Sequence, residues 1–452
     1  MKPIATLLLA AAAMFPADLS IHIPFEKYKL PNGLRVVLAR DTSVPVVAVY
    51  VVYDVGARME EKGRTGFAHL FEHMMFEGSA NVKKGELFTY VSASGGEANG
   101  STHFDYTDFY ETLPSNKLAL GLWLESDRMS GLTITEENLK IQKDAAQQEK
   151  RKNYDSQPYR PAISEQWPAM IFGDFHNAHS VMGSFEDLRA ATVEDVASFF
   201  KTYYAPNNAV LVISGDFETA EAKKLVNGYF SAIPSQPQPK RPEFKEAPRT
   251  QGKTQTVKDA NARVPAMVVG WPAPPRHSPD WYALNMVDAV LTSGDSARLK
   301  LNMVKGSMSL LQADTNLGWP NAGPIDFKDP AYYAGMLIYK PNFTSQEILD
   351  EFQTELDHIA RDGVGRTELE RLQAVLRFSK ATAMQTALSR AKLLGIHELL
   401  DGDAGYAEKD YANLFSVTSE QMQAAVSKYL TASRRDVLII EPAPLAPQGA
   451  PN

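Results

Sequence analysis

The sequence predicts an α+β chain of two homologous domains, each a mainly antiparallel sheet packed with helices. The first reason is that its halves echo each other. Thr192-Val193-Glu194-Asp195 opens a helix, Tyr203 stands eleven residues on, and the apolar strand Val210-Leu211-Val212-Ile213 follows. Thr418-Ser419-Glu420-Gln421, Tyr429 and Val437-Leu438-Ile439-Ile440 repeat the series at nearly equal offsets, as duplicated units do. The second reason is that strands such as residues 45–53 and 266–270 are interspersed with helical stretches in both halves. Between the halves, residues 233–263 are rich in Pro, Gln, Lys and Arg and poor in apolar residues, the composition of an interdomain linker. The domains drawn this way are 21–232 and 264–442. The tail 443–452 is Pro/Ala-rich and expected to be disordered.

The chain opens with Met1-Lys2 and an apolar run from Ile4 to Ala13, followed by small residues. The run is too short to span a bilayer and reads as a secretory signal peptide over residues 1–20, which predicts a periplasmic protein. No later run of about 20 apolar residues exists, so no integral membrane association is expected. Among 452 residues the net charge is −8 and no basic cluster stands out, which argues against a nucleic-acid partner. There is no cysteine, so any metal must be held by His, Asp or Glu, and disulfides are excluded.

The segment His69-Leu70-Phe71-Glu72-His73 carries the chemistry. On a helix, His69 and His73 stack on one face and Glu72 lies on nearly the same arc. Two neutral imidazoles can then reach one divalent ion while a carboxylate stands beside the water that ion would bind, the working part of a zinc hydrolase. Phe67, Leu70, Phe71, Met74 and Met75 supply an apolar flank, and Gly78 is a plausible stop. A third ligand must come from elsewhere. Glu77 lies four beyond His73, but residues 69, 73 and 77 span about 12 Å along a helix and cannot converge on one ion. Residues 135–153 read as a second helix, with Thr133 and Glu136 as a capping-box pattern near its start. Glu149, near its end, is by spacing one acid among several.

H-x-x-E-H reverses the commoner H-E-x-x-H order, and the chain resembles the pitrilysin/insulinase-type metallopeptidase family in its short, mitochondrial-processing-peptidase-like branch. The likeness rests on His69 to His73 with Glu149 placed 76 residues after His73. It rests also on Asn32-Gly33-Leu34-Arg35-Val36, on Gly66-Phe67-Ala68 leading into the motif, and on the stretch Gly95 to Thr102. Gln157-Pro158-Tyr159, Gly183 to Leu188, Tyr204 to Asn208 and Gly215-Asp216-Phe217 fit as well. The resemblance implies one zinc per chain, held by His69, His73 and Glu149, with Glu72 as general base. Residues 98–113 read as one strand. The resemblance implies that this strand binds an extended peptide substrate, with roles for Asn99 and the backbone of Gly100. His103, His176 and His179 are not assigned to the metal.

Two departures from the family stand out. Many members carry a second glutamate seven residues before the ligand, where this chain has Gln142, a neutral group beside the metal shell. Self-sufficient members also carry an Arg–Tyr pair in the C-terminal half that grips substrate and transition state. Here Val304 and Leu311 stand near those positions. A zinc site lacking such a helper loses roughly 10²–10³-fold in rate. The chain therefore resembles the zinc-bearing subunit of a heterodimeric endopeptidase whose homologous partner supplies the pair. The alternatives are a non-catalytic interaction or core subunit of the same fold, and a cofactor-maturation protease.

Overall fold

The computed structural model describes residues 22–318, 323–328 and 330–443. The expected signal peptide and the tail beyond residue 443 lie outside the described residues. Eleven strands among those described form two sheets. The first contains β1 (Glu26–Lys29), β2 (Arg35–Arg40), β3 (Val46–Tyr53), β4 (Glu97–Thr102), β5 (Thr107–Pro114) and β6 (Ala209–Gly215), in the order β1-β2-β6-β3-β5-β4. The second contains β7 (Thr254–Asp259), β8 (Ala266–Pro272), β9 (Leu310–Leu317), β10 (Tyr332–Tyr339) and β11 (Asp436–Pro442), in the order β7-β11-β8-β10-β9. Both sheets follow one plan. One parallel pair (β2 with β6, β7 with β11) is followed by three antiparallel neighbours ending on β4 or β9. The repeated Thr-led segments open the helices Val193–Tyr203 and Ser419–Tyr429 with true capping boxes, and each helix precedes the strand of its parallel pair.

Strand β3 shows why the first sheet is buried on both faces. Its sequence VVAVYVVY is inaccessible from Val47 onward, a continuous apolar run suited to the middle of a covered sheet. Val47, Val49, Val51 and Tyr53 pack on one side with Phe67, Leu70 and Phe71. Ala48, Tyr50 and Val52 pack on the other with Ala391, Leu394 and Ile396 of the helix Ala387–Leu400. That helix comes from the C-terminal half. Gly395 lets it approach closely, since a Cβ there would lie 2.6 Å from the Tyr50 ring. The second sheet is covered in the reciprocal way. Trp167, Met170, Ile171 and Phe172, from the N-terminal half, pack on Ala266, Val268, Leu438 and Ile440. Each half thus supplies the lid of the other's sheet.

Two features differ from the sequence expectations. The stretch 233–263 is no free linker. Its residues 254–259 form β7, because Thr254-Gln255-Thr256-Val257 has the β-branched alternation of a strand and finds a parallel partner in β11. The preceding residues are pinned by Arg241 on Asp54 and Asp105, by Glu246 on the Gly173 amide (2.7 Å), and by Arg249 on Asp436 (2.6 Å). The single strand read over residues 98–113 is a hairpin, β4 and β5. The chain turns at Phe104-Asp105, where the Asp105 carboxylate accepts the Lys328 amide (2.8 Å) and pairs with Arg58 (3.1 Å). Those partners are more than 45 residues away in sequence or come from the other half, so composition alone cannot register the turn.

Candidate metal centre

The helix Phe67–Met74 has two faces. Phe67, Leu70, Phe71 and Met74 are buried in the core, and His69, Glu72 and His73 point away from it. It ends at Met74, short of Gly78, which lies in the following turn at φ +113°. The helix Glu136–Glu149 packs against it. Its N-cap is Thr135, whose hydroxyl accepts the Asn138 amide at 3.1 Å, so the expected Thr133–Glu136 box does not form. At Glu149 the helix widens into a π-helical turn, Lys150–Asp155, a local irregularity often found at functional sites and invisible to periodicity.

These two helices bring together His69, His73 and Glu149. The two Nε2 atoms lie 3.2 Å apart, and Glu149 Oε2 lies 3.5 Å from His69 Nε2 and 3.3 Å from His73 Nε2. Among the described residues this is the one cluster of three such groups whose ligand atoms converge. A tetrahedral zinc with bonds of about 2.0–2.1 Å places its ligand atoms about 3.3 Å apart, so the donor set fits that ion. Burial, then the neighbouring His73, hold the His69 imidazole down to about 4, which keeps it neutral and its lone pair free. Burial opposes protonation of His73 too, but the hydrogen bond to Glu149 and the Glu72 charge raise it overall. The hydrogen bond from His73 holds the Glu149 carboxyl below its ordinary range.

Behind the cluster, His73 Nδ1 donates to Gln142 Oε1 (3.2 Å), and Gln142 Nε2 donates to Glu77 Oε1 (2.6 Å). Glu77 pairs in turn with Lys84. Glu77 is therefore one step removed from the cluster, and Gln142 orients His73 as outer groups orient metal-bound histidines. Glu72 is half-buried. Its Oε2 accepts the Thr102 hydroxyl at 2.6 Å, and burial pushes its carboxyl up to about 6 despite that bond.

Thr102 belongs to β4, the edge of the first sheet, which pairs only with β5 among the described strands. Asn99 is exposed on this edge and its Oδ1 accepts the Gly100 amide at 2.9 Å; Gly100 faces Phe109 across the ladder. The edge thus runs beside Glu72 with its outer side open. The other histidines are engaged elsewhere: His103 with the Ser101 hydroxyl (3.1 Å), His176 with the Arg58 carbonyl (2.9 Å), His179 with Glu60 (3.0 Å). In the C-terminal half, Val304 and Leu311 line one shallow pocket beside β9, and neither can donate a hydrogen bond from its side chain. Arg298 is held by Glu368 (2.8 Å). Sequence reasoning missed Thr102 and Glu60. Thr102 ends the Gly95–Thr102 stretch already singled out, whereas no local signal marks Glu60.

Residues 35–184 match the family described as Insulinase (Peptidase family M16), and residues 190–376 match the Peptidase M16 inactive domain. The chain belongs to the M16 peptidase family. This M16 chain is 24% identical over 352 residues to the zinc protease PqqE of Helicobacter pylori, covering 77% of each chain. It is 25% identical to the mitochondrial-processing peptidase subunit beta of Blastocladiella emersonii, over 52% of this chain and 50% of that one. Among solved structures, a protease from Helicobacter pylori superposes with a TM-score of 0.86 at 21% identity, covering 93% of this chain and all of that one. The periplasmic protease PqqL from Escherichia coli superposes with a TM-score of 0.72 at 16% identity, covering 93% of this chain but 48% of that one. The two-sheet M16 fold is thus established. Among the described residues no helix is long and apolar enough to cross a membrane.

Proposed function

We propose that this M16 chain is a zinc endopeptidase that cleaves peptides or unfolded polypeptide segments, and that it is the catalytic member of a heterodimer. The observation that carries the reading is the convergence of His69, His73 and Glu149 within 3.5 Å of one another, with Glu72 beside them. When bound, zinc would polarise the scissile carbonyl and acidify water. Glu72, raised to about 6, is suited to accept the proton from that water and pass it to the departing amine near neutral pH. The open edge of β4 would hold the substrate as an added strand through main-chain hydrogen bonds, with Asn99 and Gly100 beside it, which tolerates varied sequences. Gln142 would keep the His73 ring in its ligating orientation.

The partner is inferred from Val304 and Leu311, which stand near the positions where the family resemblance expects the Arg–Tyr pair and whose side chains cannot donate a hydrogen bond to an oxyanion. The match to PqqL, a chain about twice as long, supports an enzyme of two such units. A periplasmic setting is supported by the N-terminal sequence pattern. The test is Glu72→Gln. It should keep zinc and fold while peptidase activity, assayed on an oligopeptide pool with the partner present, falls about 10²–10⁴-fold. Near-native turnover would refute the role of Glu72. Full turnover by the wild-type chain alone, unchanged by the partner, would refute the heterodimer.

A further inference from the structure

Glu60 is buried, and its carboxylate meets three donors. Oε2 accepts the Gly66 amide (2.8 Å) and His179 Nε2 (3.0 Å), and Oε1 accepts the Ala68 amide (2.8 Å). His179 is fixed from behind. Its Nδ1 donates to the Phe175 carbonyl at 2.8 Å and its ring lies on Phe175, centroids 4.5 Å apart and nearly parallel. Both ring nitrogens face acceptors, so the imidazole carries both protons and the carboxylate opposite is ionised.

This ion pair ends on the helix that carries His69 and His73. That helix has only eight residues, and its N-cap, Gly66, adopts φ +83° and has no side chain to cap it. So short a helix is marginal alone, and its first amides need outside acceptors. Glu60, six residues earlier, satisfies two of them. The loop bearing His179 is locked to the same point. Asp187 Oδ2 accepts the Thr65 amide (2.9 Å) and hydroxyl (2.5 Å), and the Ser184 amide donates to Thr65 Oγ1 (3.0 Å). The backbones touch here: a Cβ on Gly183 would lie 2.3 Å from the Thr65 carbonyl oxygen.

We infer that Glu60 and His179 are positioning residues of the metal centre, fixing the height and rotation of the ligand helix so that the His69 and His73 Nε2 atoms meet. The inference rests on the zinc reading above. Neither residue touches the ligand cluster. Their effect passes through the Gly66 and Ala68 amides to His69, the next residue. A displacement of about 1 Å at a reacting centre can cost about 10²-fold, and capping a short helix from two sides removes that freedom.

The experiment uses the full chain with Glu60→Gln, His179→Gln and the double variant, with Glu61→Gln, an exposed neighbour, as control. Zinc affinity is read by chelator competition, and kcat and KM by peptide hydrolysis with the partner present. The two single variants should raise the zinc Kd about 10–100-fold and lower kcat with KM little changed. The double variant should be no worse than the more damaged single one, because the pair acts as a unit. Folded variants whose zinc Kd and kcat match wild type, whatever their melting temperature, would overturn the inference and leave the pair a purely structural contact. Should Glu60→Gln fail to fold, His179→Gln, which leaves both amide bonds on Glu60, decides by the same readouts. A wild-type chain that takes up no zinc would sink the proposed function and this inference together. Tight zinc binding unaltered by the variants would sink this inference alone.

Discussion

Replacing Gln142 by leucine separates zinc affinity from stability. In the wild type, Gln142 Oε1 accepts the His73 Nδ1 proton at 3.2 Å and Gln142 Nε2 donates to Glu77 at 2.6 Å. Leucine keeps the volume and removes both bonds. The His73 ring must keep its proton on Nδ1 to offer Nε2 to a metal, so the first loss falls on the metal-bound state. A buried donor left without a partner costs about 1–3 kcal/mol. The His73 side chain is 21% exposed, and water would replace part of the loss, which leaves about 1–2 kcal/mol, a zinc Kd weaker by roughly 5–30-fold. The second loss strands Glu77, with Lys84 as its remaining ion-pair partner, in free and bound protein alike. It lowers the melting temperature without entering the Kd. Chelator competition measures the first effect and thermal unfolding of the metal-free protein the second. A zinc affinity indistinguishable from wild type would refute the role of the His73–Gln142 bond. Gln142→Glu probes the same place from the other side. It would set two carboxylates at hydrogen-bonding distance, which raises a folded-state carboxyl pKa above its unfolded value. Stability is then retained below the unfolded pKa and lost as pH rises through the raised one, so this variant should lie closer to wild type at about pH 5 than at about pH 8.

Glu149→Gln removes the proposed anionic ligand and should leave the purified protein with strongly reduced zinc by elemental analysis; full occupancy would contradict the assignment. Trp167→Ala should cost about 3–5 kcal/mol in chemical denaturation, because this fully buried side chain of the N-terminal half roofs the second sheet; a negligible change would contradict the reciprocal packing. Burial lowers the His277 imidazole, but its bonds to Asp401 (3.0 Å) and Asp410 (2.9 Å) outweigh this and raise it to about 8. Its contribution, about 2 kcal/mol, is present below about pH 6.5 and lost as pH rises through about 8. Wild-type stability should therefore fall across that window, and His277→Gln should flatten the profile.

Much of the fold and the site was legible because the relevant signals are local. The helix Phe67–Met74 announces itself by an apolar flank and polar residues at helical spacing. The duplication shows in two Thr-led helices of matching length, each running into an apolar strand. The proposed third ligand, Glu149, lies too far from His73 for spacing to find it, and only the family resemblance singled it out. The strand reading over residues 98–113 was correct in place but not in extent, since the turn at Phe104-Asp105 is held by Arg58 and Lys328.

What the chain's own order of residues determined was the candidate ligand types on one helix, the two-unit plan, and the apolar residues Val304 and Leu311 where the resemblance expects an Arg–Tyr pair. Those follow from which side chains exist and how they recur. What only the tertiary structure decided was which groups meet. Glu60 reaches the ligand helix through its capping bonds and His179, Gln142 joins His73 to Glu77, and each half lends a helical lid to the other's sheet. Apart from the Glu60 capping bonds, which span six and eight residues, these contacts form between residues tens to hundreds apart, each satisfying a buried donor, acceptor or apolar face.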